Sequence, residues 1–401
     1  MTRLTGGEIM SSNAELRDDV IFLKGRIDSN NADETADVIR KLIIDNIIGL
    51  PVFDASELKY ISSAGLRILL GISKRYKGKP SVINVSKEVY DVLDSTGFTE
   101  LLDVRKAFRR IETDDAELVG KGSGQAVYRL DNETAVKVYH GIPDPLEKIE
   151  RDRKISRTVF THGINTAMPY DTVRVGDDYG VVYEMIDAET LGHFIDTHPD
   201  RLEEYTHKFT RLLKHLHTTE FSADEMPDAR ELLLRRIDAC RDTGRLTAEE
   251  IKKMKDFTER IPEKNTFVHG DLHPGNIMLR KDELILLDVG ESGVGHPIID
   301  FMGMHRNFVT AAESGISRSI CGLDRDSLTK MWDIIIEDYF GTKDAGKAEK
   351  YKQSIAGMAT LITLVNLITD PSVSDDVKEQ ALPAVKASFF NNTDKFVTVK
   401  I

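Results

Sequence analysis

The sequence predicts two folded domains, the first α/β and the second α+β, and three observations carry that prediction. Short apolar runs alternate with helical patterns at crossover spacing between residues 20 and 94. A glycine-rich hairpin pattern opens at Leu118, and the polar loop His269 to Met278 is followed by a short apolar run that delivers Asp288. With 401 residues the chain exceeds one ordinary compact core.

A composition of 40% hydrophobic and 30% charged residues belongs to a soluble globular protein. The net charge of -13 argues against nucleic acid or an anionic membrane as the main partner. No apolar run approaches the roughly 18 residues of a membrane span, so a cytoplasmic protein is expected. Cys240 and Cys321 have no close metal-ligand partners and are expected to be free thiols.

After a polar lead (1–14), Val20–Asp28 reads as a strand and Ala32–Ile47 as a helix. Pro51–Asp54 and Pro80–Val85 read as strands, Ala64–Tyr76 and Lys87–Asp94 as helices, the last ending before Gly97. This is the pattern of a small sheet with crossover helices. Ser63 lies just ahead of a helix, where backbone N–H groups would stabilise an added phosphate, or where the hydroxyl would simply cap the helix.

The segment Asp54-Ala-Ser-Glu-Leu-Lys-Tyr-Ile-Ser-Ser-Ala-Gly-Leu-Arg67 is similar to the signature of STAS domains, the anti-sigma-factor antagonist and sulfate-transporter family. Asp94-Ser-Thr-Gly-Phe98 resembles that family's last helix end, so the resemblance covers most of residues 15–108. It implies a regulatory domain with a protein partner and makes Ser63 a candidate phosphorylation position. Ser62 departs from the aspartate often found there, which bears on which kinase would recognise it.

Residues 109–115 form a charged linker, since Arg105 to Asp115 shows no clear strand alternation. The second domain, 116–401, opens with Gly120, Gly122 and Gly124 around Ser123, a hairpin able to approach phosphates closely. Lys137 follows inside an apolar strand, where a lysine points inward to meet an anion. A carboxylate from the next helix would fix its direction: periodicity favours Asp152 and residue type favours Glu150, and both stay open.

In His269-Gly-Asp-Leu-His-Pro-Gly-Asn276, an acid and an amide five positions apart sit in a tight loop, and Asp288 arrives on the next strand, Ile285–Gly290. Asn276 and Asp288 are metal-capable and flank Asp271, which is free to orient a hydroxyl. Phosphoryl transfer needs that set: positioning, plus neutralisation of phosphate charge. His207, His215 and His217 read as helix-surface or core residues, because no carboxylate spacing supports a metal there.

These segments resemble the aminoglycoside phosphotransferase and choline kinase branch of the protein-kinase-like superfamily. The resemblance implies a bilobal fold, with a smaller lobe at about 116–187 and a larger one at about 188–401, and ATP with Mg2+ as cofactors. It implies Asp271 as the residue that orients a substrate hydroxyl and accepts its proton, Asn276 and Asp288 as metal ligands, and Lys137 with the Ser123 loop on the phosphates. Backbone groups around Glu184 and Ile186 would pair with adenine, and His269 and Asp300 would support the catalytic loop. The chain departs from the kinase pattern at Gln125, where a third glycine is usual, while Gly270 follows the His-Gly-Asp of this branch in place of the phosphate-sensing arginine of protein kinases. The expected function is ATP- and magnesium-dependent phosphotransfer to a hydroxyl of a small molecule or a protein serine. The alternative is a nucleotide-binding signalling module with little turnover. The helical stretch 320–390, with Trp332, is expected to wall the substrate site.

Overall fold

A computed structural model describes residues 13–122, 124–141, 145–222, 224–371 and 373–393. The chain forms two compact units that divide between Arg110 and Ile111.

The first unit is a five-stranded sheet of β1 (Ala14–Arg17), β2 (Val20–Ile27), β3 (Val52–Ile61), β4 (Ser81–Val85) and β5 (Asp103–Lys106), in that spatial order. β1 is antiparallel to β2 and the other pairings are parallel. Parallel neighbours need crossovers, which α1 (Ala32–Asp45), α2 (Ser63–Ser73) and α3 (Lys87–Ser95) supply. The short α4 (Phe98–Leu101) leads into β5. Ile21, Leu23, Phe53, Leu58, Val82 and Leu93 fill the core. β3 runs to Ile61, well past the predicted Asp54. Two register shifts against β2 break its alternation, so Leu58 and Ile61 reach the core from a stretch whose charged residues read as a loop. β1 and β5 escaped prediction because they are short, partly charged edge strands.

Ser62, not Ser63, is the N-cap of α2: its backbone is extended and its Oγ accepts from the Ala64 N–H at 3.2 Å. The cap reading of Ser63 is therefore corrected by one position. Ser63 is the first helical residue and is exposed.

The smaller lobe of the second unit is a six-stranded sheet in the order β6-β10-β11-β9-β8-β7. Its strands are β6 (Arg109–Ile111), β7 (Glu117–Gly122), β8 (Gln125–Arg129), β9 (Thr134–Tyr139), β10 (Pro169–Val175) and β11 (Asp178–Glu184). β6 replaces the start of the predicted linker. Ile111 packs against the Val136, Val138 and Val173 cluster, and three residues are too few to show a period. α5 (Leu146–Thr161) buries Ile149, Asp152, Ile155, Ser156 and Val159, a stripe at three and four spacing.

The larger lobe is helical around one core that includes Phe209, Leu213, Ile237, Met254, Phe301, Ile335 and Leu361. The pattern at 228–260 splits into helices Ala229–Asp242 and Ala248–Glu259, with Gly244 at φ +67° between them and a Thr247–Glu250 capping box restarting the second. Trp332 is only 3% exposed and lies against Phe301 and Phe308, so it is core. Among the described residues no helix is long and apolar enough to cross a membrane.

Candidate active site

The loop around Asp271 is built on a buried carboxylate. Asp300, fully buried, accepts from the backbone N–H groups of His269 (3.0 Å) and Gly270 (2.7 Å) and meets His217 Nε2 at 3.1 Å. Burial alone would raise its pKa, but hydrogen bonding from His217 and the His269 backbone N–H holds the carboxyl below the usual range. His217 is held in turn by the Tyr339 hydroxyl at 2.8 Å. The His269 ring accepts from Asp271 N–H at Nδ1 (3.3 Å), so its Nε2 donates to the Leu287 carbonyl (3.0 Å). One histidine thereby ties the catalytic loop to the segment that carries Asp288.

The following hairpin brings the metal-capable pair together. Strands Ile277–Arg280 and Glu283–Leu286 pair with Ile277 opposite Leu286, and Leu287 N–H donates to the Asn276 carbonyl at 2.9 Å. The second strand stops at Leu286, two residues short of the predicted delivery of Asp288. Asp288 instead takes the left-handed conformation, φ +57°, at the start of a 3-10 turn, which re-aims its carboxylate out of the sheet. Gly275 is required here, since a Cβ would lie 2.4 Å from the Ile320 carbonyl.

Asp271 Oδ1 accepts from Asn307 Nδ2 at 2.9 Å and Oδ2 from Asn276 Nδ2 at 3.4 Å, with His273 Nε2 at 3.7 Å. Desolvation opposes ionisation, yet His273 and Asn307 together hold the Asp271 carboxyl far below its ordinary value. An acid that weakly basic is suited to orienting a hydroxyl and taking its proton late. The Asn276 amide nitrogen also donates to the Asp271 carbonyl at 2.9 Å, which turns its amide oxygen away from Asp271.

From the smaller lobe, Lys137 on β9 contacts the Asp288 carboxylate. Burial works to raise the Asp288 pKa, and Lys137 more than offsets it. Glu150 faces elsewhere: it accepts from Arg153 at 3.0 Å and from the Thr172 hydroxyl at 3.2 Å. Asp152 is the inward carboxylate of α5. Its Oδ1 is buried with no hydrogen-bond partner among the described residues, while Lys148 and Arg151 stand 3.8 Å away, too far for hydrogen bonds. Burial pushes its pKa up to about 6. Gly290 lies directly against it; a Cβ there would come within 2.8 Å of the Asp152 side chain.

Gly120 and Gly122 lie on β7, and Gly124 turns the hairpin at φ +68°, with Gln125 opening β8. Ser123 lies outside the described residues. Glu184 ends β11 with its carboxylate on Arg280 at 2.8 Å. Ile186 is buried and its carbonyl accepts from Ala188 N–H at 2.9 Å. Among the described residues nothing accepts from the Ile186 N–H.

Among the described residues no group of three or more His, Cys, Asp or Glu could hold a metal by itself. The donors present, one carboxylate at Asp288 and one amide oxygen at Asn276, still fit Mg2+, which takes hard oxygens and completes its shell with water and substrate phosphates. Sequence reading missed two residues here. His217, read as helix-surface or core, is buried at the C-cap of its helix and braces Asp300, and Asn307 reaches Asp271.

A model of the phosphotransferase enzyme family matches residues 115–321, and a STAS domain model matches residues 11–113. Similar solved structures include a thermostable mutant of aminoglycoside phosphotransferase APH(4)-Ia in its apo form (11% identity, TM-score 0.47, covering 71% of this chain and 96% of that one). Plasmodium vivax ethanolamine kinase is also similar (13% identity, TM-score 0.46, 89% and 96%). So is an aminoglycoside phosphotransferase from Streptomyces rimosus (17% identity, TM-score 0.42, 60% and 91%). No curated protein sequence matches the chain. The loop that Asp300 braces falls within a family match covering more than half of the sequence: the chain belongs to the phosphotransferase enzyme family and carries a STAS domain ahead of its phosphotransferase unit.

Proposed function

We propose that the protein transfers the γ-phosphoryl group of ATP, with magnesium, to a hydroxyl acceptor on a small molecule or a protein serine. The observation that supports this above all others is the convergence of Asp271, Asn276 and Asp288 on one loop and hairpin, with Lys137 reaching Asp288 from β9. Asp271 orients the acceptor hydroxyl and takes its proton as the phosphoryl group arrives. Asp288 and the Asn276 amide oxygen would hold magnesium, which when bound neutralises phosphate charge. Lys137 binds the phosphates, the backbone of Gly120, Gly122 and Gly124 covers them, and Asp152 takes up the ammonium of Lys137 once the nucleotide draws it from Asp288. The Ile186 N–H is the donor offered to the base. The STAS domain is read as the regulatory part, with Ser63 as its modification point.

Magnesium-dependent ATP consumption by the full chain tests the reading. Consumption that exceeds that of Asp288→Asn and requires magnesium supports it; equal rates in the two proteins contradict it.

A further inference from the structure

We infer that Asn307 is a positioning residue for phosphoryl transfer, fixing the direction in which Asp271 presents its carboxylate. The inference rests on the proposed role of Asp271 and deepens it.

Asn307 sits in a five-residue π-helical stretch, Arg306–Thr310, that follows the helix Ile298–His305 carrying Asp300. Such stretches are rare, and each shifts the register of a helix face by a residue. Here the stretch aims the Asn307 side chain at the loop that carries Asp271. Asn307 has no exposed surface, and both ends of its amide are engaged. Nδ2 donates to Asp271 Oδ1 at 2.9 Å, and Oδ1 accepts from Arg306 Nη1 at 2.9 Å. The arginine can only donate, so the amide has one orientation, nitrogen towards Asp271.

The opposite side of the stretch is held by packing. Phe308 is fully buried, with its ring centre 6.0 Å from both Phe209 and Trp332, and His305 meets Trp332 edge-on at 5.9 Å. The donor is therefore fixed in place before any ligand arrives. A hydrogen bond from a neutral donor to a carboxylate is strong enough to select one rotamer of Asp271. It occupies Oδ1, which leaves Oδ2, beside Asn276 and His273, for the acceptor hydroxyl. Losing the bond would let the carboxylate rotate away from the line of transfer, and misplacement on that scale costs about a hundredfold in rate.

Two measurements on the full chain decide the matter. The first needs no turnover: side-chain amide hydrogen exchange of Asn307, its resonance pair identified as the one missing from Asn307→Leu. Exchange at least about tenfold faster in Asp271→Ala than in wild type is expected from loss of a charge-assisted bond; equal exchange overturns the inference. The second is ATP turnover. Asn307→Leu keeps the volume without the donor, and kcat should fall about 10- to 100-fold while KM for ATP stays within about twofold. Wild-type kcat, or an effect confined to KM, overturns it. Should Asn307→Leu fail to fold, Arg306→Gln, at a partly exposed position, frees the amide to flip and should lower kcat about threefold or more; no change there counts against the inference. A wild-type protein without turnover would refute the proposed function, and the exchange measurement would still decide the contact.

Discussion

The two sides of the active site differ in how complete they are. On the larger-lobe side nearly every polar group has its partner: Asp300 takes two backbone N–H groups and His217, His269 bridges to Leu287, and Asn307 holds Asp271. On the smaller-lobe side, Asp152 Oδ1 is buried with no hydrogen-bond partner among the described residues, and Lys137 rests on Asp288. On the proposed function, the side that orients the acceptor is held in place by its own contacts, while the side that binds the phosphates awaits a nucleotide to redistribute its charges.

The largest expected effect falls on the finished side. Asp300→Ala strands the buried His269 N–H, the Gly270 N–H and the buried His217 ring, and should cost about 3–5 kcal/mol in urea unfolding. A loss below about 1 kcal/mol would break the comparison.

The unfinished side should respond in the opposite direction. The native pKa of Asp152, about 6, lies above its ordinary value of 3.8. Between those values the native state binds more protons than the unfolded one, so stability falls as pH rises through roughly 4 to 6, and the full penalty persists above 6. Asp152→Asn should therefore raise stability at pH 7 by on the order of 2–3 kcal/mol, with the gain vanishing towards pH 4. It should also slow ATP turnover. A variant that is destabilised at pH 7 would show that Asp152 is already well paired.

A smaller effect is expected at Lys137. Magnesium and ATP together should raise the melting temperature of the phosphotransferase unit, because a ligand bound only by the native state stabilises it. Lys137→Met should weaken nucleotide binding about tenfold, removing about 1.4 kcal/mol of that stabilisation. A shift untouched by the substitution would place the phosphates elsewhere.

The smallest effect belongs to the first unit. Phosphate on Ser63, at the first turn of α2, should stabilise that unit by about 0.3–1 kcal/mol through the helix N-terminus. Phosphopeptide mapping after incubation with ATP, with Ser63→Ala and Asp271→Asn as controls, shows whether the chain modifies itself. An unmodified Ser63 in the wild type rejects self-phosphorylation.

What the sequence made legible was the part governed by local chemistry. The strand and helix alternation of residues 20–94 and the loop from His269 to Asn276 could be read because apolar spacing and polar motifs lie in short windows. The choice between Glu150 and Asp152 was not legible from residue type; the buried stripe of α5 turns Asp152 inward and leaves Glu150 to Arg153. The left-handed turn at Asp288 could not be read either, because an apolar run gives no sign of where its strand stops. His217 and Asn307 were out of reach for a different reason: they act on residues 83 and 36 positions away, through tertiary contacts.

On the proposed function, Asp271 serves phosphoryl transfer and not the fold. The most direct test compares ATP turnover by wild type and Asp271→Asn, alongside the melting temperature and its response to magnesium and ATP. The account predicts turnover lower by about 10²–10⁴-fold in the variant, with the fold and the nucleotide response retained. Wild-type turnover in a folded Asp271→Asn protein would contradict it.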